Sequence, residues 1–151
     1  MYDLNGIKTL EILSQKNLDL VINKIIQTNN ITNQRGLILA NNQIIRLINS
    51  KNYILKKLER FEPQNTIIDT IIYKFYDSSY IDEDNYVDTI EELIEIFYIY
   101  QNEFDNKLTD DQIIEYMFCH FENDCSGSLE LLRDLYFDKL KSELINGCNN
   151  E

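Results

Sequence analysis

The segment Phe121-Glu122-Asn123-Asp124-Cys125-Ser126-Gly127-Ser128-Leu129-Glu130 has the outline of a calcium loop set between two helices. With Glu122 in the first ligand position, Asp124, Ser126 and Gly127 take the third, fifth and sixth, and apolar Leu129 the eighth. The twelfth position should close the site with a bidentate glutamate, but it holds Arg133, a cation that opposes Ca²⁺. A capped helix–loop–helix connection is therefore the expectation. Cys119, His120, Cys125 and Cys148 supply four zinc-type ligands, but their spacing matches no CxxC knuckle, and adjacent Cys119 and His120 diverge on a helix. Cys125 precedes a helix start, where the dipole would favour a thiolate, while Glu122 and Asp124 oppose it. Asp88, Glu91 or Glu92, and Glu95 resemble half of a di-iron carboxylate site, yet Met117 stands three before the single histidine where such sites need glutamate. A solvated acidic face is the plainer reading, and no metal or cofactor is expected.

Two other groups of residues stand out. On a helix running from Asn41 to Phe61, Lys51 falls between Ile44, Leu55 and Leu58 on the apolar face. A charge there needs a carboxylate partner, expected from the acidic half of the chain, unless the helix breaks near Asn49-Ser50. The Asp77-Ser78-Ser79-Tyr80 turn and the Glu122–Ser128 loop are expected at one end of the fold. Together they offer Asp77, Ser78, Tyr80, Cys125, Ser128 and Glu130 as a candidate ligand or partner site. Carboxylates around the loop argue against phosphate, although glycine and backbone N–H groups at a helix start suit anions.

The elements that must position these residues are helical. Apolar residues recur at helical spacing through most of the 151 residues, with one Pro and four Gly, no repeat and no sheet pattern. The spacing predicts a single all-α domain, residues 1–151, of about five to seven helices with short loops. Residues 5–29 form one helix or two, and Asn41 or Asn42 caps the next, stopped by Glu62-Pro63. Asn65 is expected to cap a helix carrying Ile68 to Phe75, and Asp82, Glu83 and Asp84 to open the helix that reaches Phe104. Thr109-x-x-Gln112 is a capping box, Ser126 or Ser128 caps the last helix, and Gly147 ends it. On the 84–104 helix, Ile90, Leu93, Ile94, Phe97 and Tyr100 make the core stripe. Ile96, Tyr98 and Ile99 extend apolar surface beyond it, and Tyr98 with Ile99 offers a face for another helix or a second chain.

Charge is divided along the chain. Residues 1–61 hold nine Lys/Arg against four Asp/Glu, and residues 62–138 hold three against twenty, within a net charge of −12. A strongly basic footprint is absent, so nucleic acid is not the expected partner; the one basic cluster, Arg46, Lys51, Lys56, Lys57 and Arg60, packs beside the acidic half or faces solvent, with a docking surface for an anionic partner as the alternative. No apolar run is long enough to span a membrane and no signal peptide is visible, so a cytoplasmic protein with three thiols is expected. Twenty-three Ile and eighteen Asn against one Ala fit an AT-rich bacterial genome.

The pattern Asn29-x-x-Thr32-x-x-x-Gly36-Leu37-x-Leu39, Arg60-x-Glu62, Phe75-x-Asp77-Ser78-x-Tyr80 and Asn85-Tyr86 is similar to that of a family of short bacterial proteins of unknown function. It continues through Phe97-Tyr98, Asn102-Glu103, Asp110-Asp111, Met117, Phe121 and Cys125-x-Gly127-Ser128-Leu129-Glu130, so the resemblance spans about Asn29 to Leu132. That family occurs largely in Gram-positive anaerobes, and the resemblance implies an all-helical domain without assigning any activity. The chain departs from the pattern at Gln101, where Lys is usual, at Ser126, where Gly is usual, and at Pro63-Gln64-Asn65, in place of a glycine-rich turn.

With no complete catalytic set, the reading is a non-enzymatic interaction module for a protein partner, with a homodimer through Tyr98 and Ile99 as one form. The alternative is an enzyme or small-ligand protein using the 77–80 and 122–130 turns. A concave pocket joining those turns would favour the second; a flat aromatic patch would favour the first.

Overall fold

The computed structural model describes residues 4–60, 62, 67–105 and 107–138, with side chains from residue 16 to residue 135. Among them lie six α-helices and one 3₁₀ turn, and no strand: α1 (Leu4–Thr32), the 3₁₀ turn (Asn33–Arg35), α2 (Asn41–Lys57), α3 (Ile67–Phe75), α4 (Tyr86–Phe104), α5 (Asp110–Glu122) and α6 (Leu129–Asp138). Residues 5–29 thus belong to one helix. Gly36 closes the 3₁₀ turn with a left-handed φ of 74°, its N–H donating to the Asn33 carbonyl. Asn29 then brackets Leu39, donating to its carbonyl at 3.0 Å and accepting its N–H at 2.9 Å. Those bonds hold the extended link so that Leu37 and Leu39 are buried.

Several boundaries differ from expectation for local reasons. Ala40, not Asn41 or Asn42, is the N-cap of α2, and Gln43 Oε1 accepts the Ala40 N–H at 2.8 Å. The helix ends at Lys57 rather than at proline: Glu59 turns left-handed (φ 54°), and the Arg60 N–H reaches back to the Leu55 carbonyl at 2.9 Å. Asp82, Glu83 and Asp84 precede α4 instead of forming its first turn, because Asp82 Oδ1 accepts the N–H groups of Asp84 and Asn85 and holds a turn open. The Thr109–Gln112 box forms reciprocally, and Ser128 Oγ accepts the Leu131 N–H at 3.2 Å ahead of α6. The expected cap at Asn65 and stop at Gly147 lie outside the described residues.

The fold is built around α4, which packs against α2, α3, α5 and α6. Four neighbours explain why its apolar residues run around the cylinder: Ile90, Leu93, Ile94, Ile96, Phe97, Tyr98 and Tyr100 are all fully enclosed. Each such side chain stabilises the fold by about 1.5–3 kcal/mol relative to exposure. Tyr98, expected as part of a self-association face, is therefore core. No helix among the described residues is long and apolar enough to cross a membrane.

Candidate functional site

Three places bring polar chemistry together. At the first, the turns at 77–81 and 122–128 meet, as their positions before α4 and after the returning α5 require. Ser78 is buried and its hydroxyl donates to Glu122 Oε2 at 2.5 Å. The Tyr80 side chain packs against Gly127, where a Cβ would come within 2.4 Å of it, and its ring lies edge-on to Phe121. Arg35 reaches across from the 3₁₀ turn and donates to the carbonyls of Tyr76, Ser78 and Ile81 at 2.7, 2.7 and 3.1 Å. Cys125 is buried, Ser128 is spent on its cap, and Asp77 and Glu130 stand exposed. Of this candidate set, Ser78 and Tyr80 tie the first turn to the second, and Asp77 and Glu130 take no part in the contact. Neither Arg35 nor Glu122 carried a sequence signal for this role, since their partners lie more than forty residues away. Cys119 is disulfide-bonded, a correction to the expectation of three thiols.

The second place lies inside the bundle. Lys51 is only 1% exposed, and its Nζ lies 3.6 Å from Glu62 Oε1. The same oxygen accepts the Tyr98 hydroxyl at 2.7 Å. Burial pushes the ammonium below the usual lysine range, opposed by the charge and hydrogen bond of Glu62. Burial and the adjacent Glu62 carboxylate hold the Tyr98 phenol well above its usual range. Asp69 and Asp110 also act on Lys51 electrostatically, and Gln101 Nε2 donates to Asp110 Oδ1 at 2.8 Å. Asp69 Oδ1 and Gln101 Oε1 are buried with no hydrogen-bond partner among the described residues. Burial accordingly raises the Asp69 carboxyl, against the pull of its backbone N–H contacts and of Lys24 and Lys51.

The third place is open. Between α2 and α4 run two adjoining concavities of about 640 and 290 Å³ that share Tyr53, Ile54 and Glu95. One end is framed by Arg46, whose guanidinium binds Asp88 and Glu91, both at 2.7 Å, with Ser50 also donating to Glu91. The other end is framed by Leu58 and Ile99. Early α2 faces early α4 and late α2 faces late α4, so the two helices run side by side in the same direction. The candidate interface residue Ile99 is half-buried on this wall, while exposed Ile45 (40%) and Tyr53 (65%) come from α2. The acidic stripe Asp88–Glu95 is thus partly paired: Arg46 holds two of its members, and Arg133 reaches Glu95 at 3.0 Å.

These features define, among the described residues, an all-helical bundle with a locked turn junction, a buried charge cluster and an open interhelical groove. A family model for DUF6323, a family of unknown function, matches residues 24–150, and the chain belongs to that family. No curated protein and no solved structure matches the chain.

Proposed function

We propose that this protein is a non-catalytic helical module, acting as a single domain, that receives a protein partner in the α2/α4 groove. The carrying observation is the groove itself: two adjoining concavities between two adjacent helices with exposed Ile45 and Tyr53 in their walls. Exposed aromatic and aliphatic side chains around a concavity are what protein partners bury most profitably. The alternative site at the 77–80 and 122–130 turns gains less support, because Ser78 is already bonded to Glu122 and Cys125 is covered. A bacterial setting fits the Ile- and Asn-rich composition and a cytoplasmic one the free Cys125, while the disulfide at Cys119 pulls the other way. Counting thiols in denatured, unreduced protein separates those two readings.

The test is capture from native lysate with three baits: wild type, Tyr53→Glu and Tyr73→Glu. Tyr73 is exposed on α3, away from the groove. A partner retained by wild type and Tyr73→Glu but lost by Tyr53→Glu is the expected result. Equal capture by all three baits overturns the groove as the binding surface.

A further inference from the structure

We infer that the occupant of this groove is a basic amphipathic helix of about 16 residues; the inference rests on the groove being the binding surface. Length comes first. The lining residues of α2 and its C-cap run from Asn42 to Leu58, which at 1.5 Å per residue is a stretch of about 24 Å. Shape comes next. Two helices lying side by side present ridges and a furrow that fit a third helix, and the described residues contain no strand whose edge could be extended. The apolar strip of Ile45, Tyr53, Ile54, Leu58 and Ile99 would take side chains spaced i, i+3 or i+4, and i+7.

Charge decides the sign of the partner. The walls carry Glu91, Glu92, Glu95 and Glu103 against Arg46 and Lys57. Arg46 is outnumbered by its own partners, Asp88 and Glu91, and the Lys57 ammonium lies over the Tyr53 ring at 5.6 Å. Glu92 and Glu103 are exposed and have no ion-pair partner among the described residues. Those two carboxylates lie on the α4 wall, one in each concavity, where lysine or arginine on the α4-facing edge of an apolar stripe would meet them. A second copy fits poorly: it brings the same carboxylates and another net charge of −12.

The experiment uses the full chain and three labelled synthetic helices: Leu/Lys amphipathic, Leu/Glu amphipathic, and a scrambled Leu/Lys peptide of the same composition. Binding is read by fluorescence anisotropy at about 0.15 M salt, with circular dichroism checking that each variant remains folded. The Leu/Lys helix should bind and the scrambled peptide should not. Tyr53→Ala should weaken binding about tenfold by removing an aromatic anchor. Glu92→Lys with Glu103→Lys should weaken it by about tenfold or more through charge reversal. Equal binding of the scrambled peptide, or no binding of the Leu/Lys helix, overturns the inference. If the Leu/Glu helix binds instead and Tyr53→Ala weakens it, the groove stands and the partner's sign is wrong. If Tyr53→Ala changes no binding, the groove reading itself falls. Light scattering that gives twice the chain mass, reduced to one by Tyr53→Ala, assigns the groove to a second copy and also overturns the inference.

Discussion

Arg46 and Lys51 lie little more than one turn apart on α2, and each meets a carboxylate from a later part of the chain. Their surroundings are opposite. Arg46 is 48% exposed at the groove, whereas Lys51 is 1% exposed beneath it. In water an ion pair of good geometry gains little over two hydrated charges, about 0.2–1 kcal/mol. Inside the bundle, the same kind of pair is costly to break, because removing one member leaves the other less well compensated in a poor solvent. One helix thus holds one type of charge in two settings: a fixed internal contact, and an exposed surface pair.

The largest expected effect tests the internal contact. Glu62→Ala removes the carboxylate beside Lys51 and should cost about 3–5 kcal/mol, read from the urea midpoint. Lys51→Met should cost clearly less, since it removes the charge along with the need for a partner and keeps the side-chain volume. Equal, negligible losses in both variants would erase the contrast with Arg46.

Much of this contrast was legible in the sequence, but not all of it. Helical spacing alone put Lys51 on an apolar face and required a carboxylate from the acidic half. It did not point to Glu62, which lies outside any helix and has no periodicity to place it. The excess apolar surface at Tyr98 was also visible, but covering it depends on how many helices pack around α4, a tertiary fact. The turn residues Ser78 and Tyr80 and the loop after α5 were placed at one end by helix direction. Arg35, which ties that end to the 3₁₀ turn, carried no local signal because its acceptors are backbone carbonyls far along the chain. The groove was equally hidden: it belongs to neither helix, only to their side-by-side packing.

A smaller effect sharpens the internal side. Tyr98→Phe removes the hydroxyl that donates to Glu62 at 2.7 Å. A hydrogen bond to a charged acceptor contributes about 1.5–3 kcal/mol, and the retained Lys51 contact should keep the loss near the lower value. Thermal unfolding of the variant beside Glu62→Ala ranks the two. If Tyr98→Phe is the more damaging, Glu62 serves the tyrosine and Lys51 is secondary.

Asp69 is the buried charge whose partnering is least complete, so its removal should stabilise. Burial raises its folded carboxyl above the ordinary 3.8, so across that window the native state holds a proton that the unfolded chain has lost. The native state then binds more protons, and this group's contribution to stability falls as pH rises through the window. Asp69→Asn cannot titrate there. Its Tm should exceed that of the wild type at neutral pH, and the difference should vanish in acid below the ordinary carboxyl range. A lower Tm at neutral pH would show that attraction from Lys24 and Lys51 outweighs burial.

The smallest effect belongs to Arg46, and it carries the comparison back to the groove. Arg46→Ala should cost only about 0.2–1 kcal/mol, and that difference should shrink as salt is added, because an exposed pair is screened. The Glu62→Ala loss should persist in the same salt, because the Lys51 contact is shielded from it. Arg46→Ala also frees Asp88 and Glu91, which it otherwise neutralises at 2.7 Å, so the groove becomes more acidic. A Leu/Lys helix should therefore bind the variant more tightly than wild type at low salt, although the variant is marginally less stable. Opposite signs for stability and binding are what an exposed charge at a docking surface produces. If Arg46→Ala instead costs several kcal/mol and weakens the peptide, Arg46 is a structural pin like Lys51, and the division of labour along α2 does not hold.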